Sequence, residues 1–107
     1  EHENYASAQP KNDVIAKMRF YKNQGYSICI FTARNMRTYD GNIGLINVHT
    51  LPVIIKWLDE HRVPYDEIVV GKPWCGEQGF YVDDRAIRPN EFASLTESGI
   101  ANLLNEQ

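Results

Sequence analysis

The stretch Phe80-Tyr81-Val82-Asp83-Asp84-Arg85-Ala86-Ile87-Arg88-Pro89 decides how this chain is read: an apolar run stops at two adjacent carboxylates and passes into a basic, proline-stopped loop. Taken as a strand, it carries both carboxylates at its C-terminal end, the edge where open α/β sheets hold their ligands. Two carboxylates side by side offer the oxygen donors that hard divalent cations such as Mg²⁺ prefer. The plainer reading is a polar corner in which Asp forms the turn. The neighbouring segments decide which reading has support.

Ser27-Ile28-Cys29-Ile30-Phe31-Thr32 is a second apolar run, too short for a helix and rich in β-formers, as expected of a parallel strand buried on both faces. Cys29 then reads as a small core residue. A third run, Glu67-Ile68-Val69-Val70-Gly71, leads directly into Lys72-Pro73. Helical spacing recurs around these runs. Val14, Ile15, Met18 and Tyr21 share one face of a helix capped by Asn12 or Asp13 and stopped at Gly25. Val53, Ile54, Trp57, Leu58 and His61 share another, with Pro52 near its start or kinking a longer helix that begins near Gly44. Ser94 and Glu97 fit a capping box for a last helix that buries Ile100, Leu103 and Leu104. Residues 1–12 form a polar lead-in and 33–47 a long polar loop. The alternation predicts βαβ units with right-handed crossovers and a parallel sheet whose third strand ends at Asp83.

A chain of 107 residues with 43% hydrophobic and 11% aromatic content can build one core, so residues 1–107 read as a single domain. The net charge is −3 and no long basic run is present, which argues against nucleic acid as a partner. No apolar stretch approaches a membrane span and none reads as a signal peptide, so the expectation is a cytoplasmic protein acting on small ligands. Cys29 and Cys75 lack metal-site spacing and suggest no disulfide framework.

Three polar features fall at the C-terminal ends of the three predicted strands: Thr32, Lys72, and Asp83 with Asp84. In a parallel sheet these ends share one edge. Each has a bland alternative: Thr32 as a hydroxyl bonding its own turn, Lys72 as a solvated loop lysine. Together they supply a carboxylate pair for a cation, a point positive charge and a short hydroxyl, the parts that hold a phosphate and Mg²⁺.

The order strand–Thr, strand–Gly-Lys-Pro, strand–Asp-Asp resembles motifs two, three and four of the haloacid dehalogenase superfamily, over about residues 13 to 92. The runs Thr32-Ala33-Arg34-Asn35-Met36-Arg37-Thr38 and Gly71-Lys72-Pro73-Trp74-Cys75-Gly76 look most like small members associated with capsular polysaccharide biosynthesis. The resemblance implies a three-layer α/β/α Rossmann-like parallel sheet. It further implies a Mg²⁺-dependent phosphatase, working through an aspartyl-phosphate, on a sugar phosphate or other small phosphorylated metabolite. By that resemblance Thr32 bonds a phosphate oxygen, Lys72 neutralises the phosphate, and Asp83 and Asp84 hold Mg²⁺. Ala33, Arg34, Asn35 and Arg37 lie in the loop that would meet substrate, where the planar fork of Arg suits phosphate and hydroxyl-rich ligands.

The family's first motif, a strand ending in Asp-x-Asp, is not found: the aspartates are Asp13, Asp40, Asp59, Asp66, Asp83 and Asp84, and only the last two follow an apolar run. A parallel sheet lacking that central strand would leave backbone groups unpaired, so the expectation is that the natural polypeptide continues upstream of Glu1. About ten to fifteen residues would supply a strand and turn, at ~3.3 Å per residue. Little sequence remains for a cap domain, so the site would be open or covered by a neighbouring subunit of a homo-oligomer. Two other readings compete. A non-catalytic phospholigand-binding or assembly module accounts for the missing nucleophile. A phosphorylatable receiver domain also uses paired Asp and Lys, but places the acidic pair before the Lys.

Overall fold

The computed structural model describes residues 9–106; residues 1–8, most of the polar lead-in, lie outside it. Helix α1 spans Asn12–Asn23, capped by Lys11 rather than Asn12 or Asp13. It ends where the Gly25 signal places it, with Gln24 as C-cap and Gly25 at φ 98°. Strand β1 is Cys29–Thr32 and strand β2 is Glu67–Val70. They pair in parallel, Cys29 opposite Glu67 through Thr32 opposite Val70.

Between the strands, the expected 33–47 loop is shorter than its polar composition suggested, because α2 begins at Ile43 and runs to His49. Asn42 caps it, its side chain accepting from the Leu45 N–H at 3.1 Å. Helix α3 follows at once over Leu51–Glu60. The two alternatives for Pro52 meet halfway: it stands in the first turn of α3, and the helical path breaks at Thr50. Pro52 has no N–H to give to Val48, so a continuous helix would lose that bond. Thr50 bridges the joint, donating its N–H to the Ile46 carbonyl and accepting from Ile54 N–H.

Ile15 of α1, Ile54 and Leu58 of α3, and Val63 form the buried core, with Ile30 and Ile68 of the strands packed against it. These two strand residues point to the same side, as alternation requires. The opposite side carries Cys29, Phe31, Glu67 and Val69, all exposed. Strand residues buried on both faces were expected; one face only is covered, and Cys29 is an exposed thiol rather than a core residue.

The three-layer α/β/α sheet is therefore corrected. Among the described residues the sheet has two strands of four residues each, accompanied by five helices. The expected third strand, Phe80–Asp83, pairs with neither of the other two, and Phe80 and Val82 are 79% and 89% exposed. The physical reason lies in what surrounds the run. An extended segment becomes a strand only when its backbone groups find a ladder, and this one pairs with neither β1 nor β2. A cavity of about 470 Å³ opens between the start of β1 and the C-terminal helices, lined by residues that include Tyr26, Cys29, Ile87, Phe92, Ile100 and Leu104.

The C-terminal part returns to α1. Helix α4, Pro89–Ser94, starts with the proline that looked like a stop, and Glu91 accepts from the Arg88 N–H at 2.9 Å. The stacked rings of Tyr21 and Phe92, 5.5 Å apart, hold α4 against α1, and Lys17 donates to the Leu95 carbonyl at 2.6 Å. Helix α5 spans Glu97–Asn105. Its cap is Thr96, which accepts from Gly99 N–H at 3.0 Å, not Ser94. Glu97 is thereby released to accept from the Tyr26 hydroxyl at 3.2 Å. No helix among the described residues is long and apolar enough to cross a membrane.

Candidate functional site

The parallel pairing of β1 and β2 places the residues that follow them side by side. Thr32 is the last residue of β1 and lies opposite Val70. Two residues further on, Lys72 donates its backbone N–H to the Thr32 carbonyl at 3.1 Å, extending the ladder past the end of the sheet. Gly71 makes that turn possible. Its φ is +93°, and a Cβ there would lie 2.6 Å from Cδ1 of Ile43 at the start of α2. Thr32 and Lys72 are thus brought together, as their spacing in the sequence suggested.

The loop after Thr32 closes on itself. The Thr32 hydroxyl oxygen accepts from the Arg34 N–H at 3.0 Å, so the turn-bonding role is real, while its own O–H proton stays available to donate. Ala33 accepts from Met36 N–H at 3.0 Å. Asn35 sits in the left-handed region, φ 61°, which Asn tolerates better than most residues. Its amide oxygen accepts from the Thr50 hydroxyl at 2.7 Å and its Nδ2 donates to Thr38 at 3.1 Å. Thr50 is only 3% exposed, so this bond tethers the loop to the joint between α2 and α3. Asn35 thus holds the loop through its side-chain amide.

Arg37 reaches the loop that follows β2. Its guanidinium lies over the Trp74 ring, 5.1 Å from the centroid, and makes an ion pair with Glu77 at 3.6 Å. Lys72, half-buried, is flanked by two rings: its Nζ is 4.3 Å from the Tyr81 centroid and 5.9 Å from that of Phe31. Tyr81 donates its hydroxyl to the Pro73 carbonyl. Its phenol pKa is raised, chiefly by desolvation and then by a hydrogen bond with Cys75. Trp74, Tyr81 and Thr50 were not singled out from the sequence. Trp74 and Tyr81 sit inside the two motifs that were, but ring contacts depend on how the loops fold back and leave no spacing signal.

Asp83 and Asp84 follow Tyr81 on the same segment and are both exposed. Asp83 accepts from the Arg85 N–H at 2.7 Å, the turn-forming role set out above as the plainer reading. Neither acid pairs with Lys72: the ion pairs among the described residues are Lys22–Asp66 and Arg37–Glu77. Among the described residues, no group of three or more His, Cys, Asp and Glu gathers in a way that could hold a metal ion. Two carboxylates still match how Mg²⁺ binds when substrate phosphate and water complete its shell, so the donor set fits that mode rather than an all-protein cage. Two other aspartates are committed elsewhere. Asp66 is bonded by Lys22 and by Ile28 N–H, contacts that hold its carboxyl below the ordinary range, and Asp59 accepts from Tyr65.

Fold and site together define a small α/β protein with a polar corner at the end of a parallel strand pair. No family model matches the chain, and no curated protein matches it. A crystal structure of an MCSG target from Vibrio cholerae is similar at 57% identity and a TM-score of 0.96, over 99% of this chain and 86% of that one. The chain belongs to the same family as that Vibrio cholerae protein, whose description states no activity.

Proposed function

We propose that this protein is a cytoplasmic Mg²⁺-dependent phosphatase that binds a phosphorylated small molecule at the Thr32–Lys72 corner, as its resemblance to the haloacid dehalogenase superfamily implies. The observation that carries the reading is the bond from Lys72 N–H to the Thr32 carbonyl, which sets an ammonium and a hydroxyl at the same strand ends. Lys72 neutralises the phosphate dianion and Thr32 donates its proton to a phosphate oxygen. Half-burial between Phe31 and Tyr81 removes water from Lys72 and strengthens its attraction for an anion. Asp83 and Asp84 would hold Mg²⁺, which would screen the charge of the phosphoryl group being transferred. Asp83 can keep its Arg85 contact on one oxygen while its remaining lone pairs face outward.

A second reading is a non-catalytic phospholigand-binding module. It is favoured by one observation: three of the described aspartates are placed on other elements, Asp13 in the first turn of α1, Asp59 accepting from Tyr65 and Asp66 paired with Lys22. Inorganic phosphate release from a broad panel of phosphomonoesters, with Mg²⁺ and with EDTA, separates the two. Metal-dependent release supports the phosphatase. No release, together with a melting temperature that rises with phosphate, supports the binder.

A further inference from the structure

We infer that Tyr81 is a positioning residue for the phosphate corner: its ring holds the Lys72 ammonium in the orientation that an anion meets, and its hydroxyl pins that ring to the same turn. This deepens the phosphate-site reading above and rests on it, and it applies to an enzyme and to a binding module alike. The surroundings of Lys72 lead here. Its Nζ lies 4.3 Å from the Tyr81 centroid and 5.9 Å from that of Phe31, both within the reach over which a ring face attracts an ammonium. The two rings come from unlike places, Phe31 from β1 just before Thr32 and Tyr81 from the run that joins no strand. Lysine left alone is a point charge on a flexible four-carbon stem and samples many rotamers. Held between two faces, it is ordered before any ligand arrives.

The kind of partner matters as much as its position. The ion pairs among the described residues are Lys22–Asp66 and Arg37–Glu77, so no carboxylate neutralises Lys72. A ring quadrupole orients an ammonium but carries no net charge, so the whole positive charge stays available to an anion. Neither ring is spent on the core: Phe31 is 52% and Tyr81 51% exposed. Tyr81 is nonetheless fixed, because its hydroxyl donates to the Pro73 carbonyl, so ring and hydroxyl both engage the Lys72-Pro73 dipeptide. Asp83 follows two residues later, at most about 7 Å of extended chain away. The same contact therefore ties the carboxylate-bearing segment to the Lys72 turn.

The test is NMR of the labelled 107-residue chain titrated with inorganic phosphate in metal-free buffer, for wild type, Tyr81→Phe, Tyr81→Leu and Lys72→Ala, with the ε-methylene protons of Lys72 as a second readout. Phenylalanine keeps the ring, leucine keeps apolar bulk without it, and both lack the hydroxyl, so the pair isolates the ring. In wild type and Tyr81→Phe the Lys72 protons should lie upfield of free lysine, in the ring current, and in Tyr81→Leu they should move back toward it. Phosphate should bind Tyr81→Phe within about twofold of wild type and Tyr81→Leu roughly three- to tenfold more weakly, because a loose lysine must be ordered on binding. Wild-type affinity in Tyr81→Leu, equal losses in the two variants, or Lys72 protons that ignore the substitution would overturn the positioning role while the phosphate corner stands. Should Tyr81→Leu fail to fold by circular dichroism, the wild-type spectrum still decides, since Lys72 protons at the free-lysine position would overturn the ring contact. If wild type binds no phosphate, or Lys72→Ala binds it as wild type does, the underlying site falls and the inference with it.

Discussion

Cys29–Thr32 and Phe80–Val82 are apolar runs of similar length, each ending at a polar residue that the proposed site uses, yet they have different fates. The first pairs with β2 over four residues and turns Ile30 onto the core of Ile15, Ile54, Leu58 and Val63. The second has no ladder and leaves its side chains in water. The difference teaches that hydrophobic patterning proposes a strand while a partner backbone makes one. It also divides the site into two parts of unequal rigidity. Thr32 and Lys72 are fixed by ladder and turn, whereas Asp83 and Asp84 hang from a segment held by Tyr81 through its ring contact with Lys72 and its bond to Pro73.

The contrast can be broken most forcefully by truncating one apolar side chain on each side. Ile54→Ala, in the covered core, should cost about 2–5 kcal/mol in urea unfolding, whereas Val82→Ala should stay within about 0.5 kcal/mol. Equal losses would mean that the Phe80–Val82 segment is packed after all. Next in size, Lys72→Ala should lower the rate of phosphate release by about 10²–10³, while Asp83→Asn should lower it only in Mg²⁺-limited buffer. A rate unaffected by Lys72→Ala would remove the ammonium from the site. Smaller again is the tether: Asn35→Ala leaves the buried Thr50 hydroxyl without its acceptor and should destabilise by about 1–3 kcal/mol, measured by thermal melting. The smallest effect belongs to Asp66. Its folded carboxyl titrates below the unfolded one, so through that window the unfolded chain binds more protons and stability falls as pH drops. Wild type should lose stability on acidification toward the folded value, and Asp66→Asn should show a shallower acid limb.

The parts of the fold legible in the sequence are those fixed by local chemistry. Helix α1 could be read because apolar spacing and Gly25 agree, and β1 and β2 because each short run is bounded by turn residues. Gly71, read as the end of the second strand run, stands just past β2 at φ 93° and turns the chain. The third strand was not, since its pairing depends on residues far away in sequence. Nor was α4, whose opening Pro89 serves equally as a stop or a first-turn residue. The α5 cap slipped by two residues because Ser94 and Thr96 both offer a hydroxyl, and only the packing of Glu97 against Tyr26 chooses between them. For the candidate site, the partners of the loop residues were not readable: Asn35 bonds Thr50 through its amide, and Arg37 lies over Trp74 and pairs with Glu77.

The central claim is that the strand ends at Thr32 and Lys72 form an anion site. Backbone amide NMR of the ¹⁵N-labelled chain titrated with inorganic phosphate tests it most directly. The account predicts saturable shifts confined to residues 32–35 and 71–73, abolished by Lys72→Ala. Shifts centred elsewhere, or none at all, would contradict it.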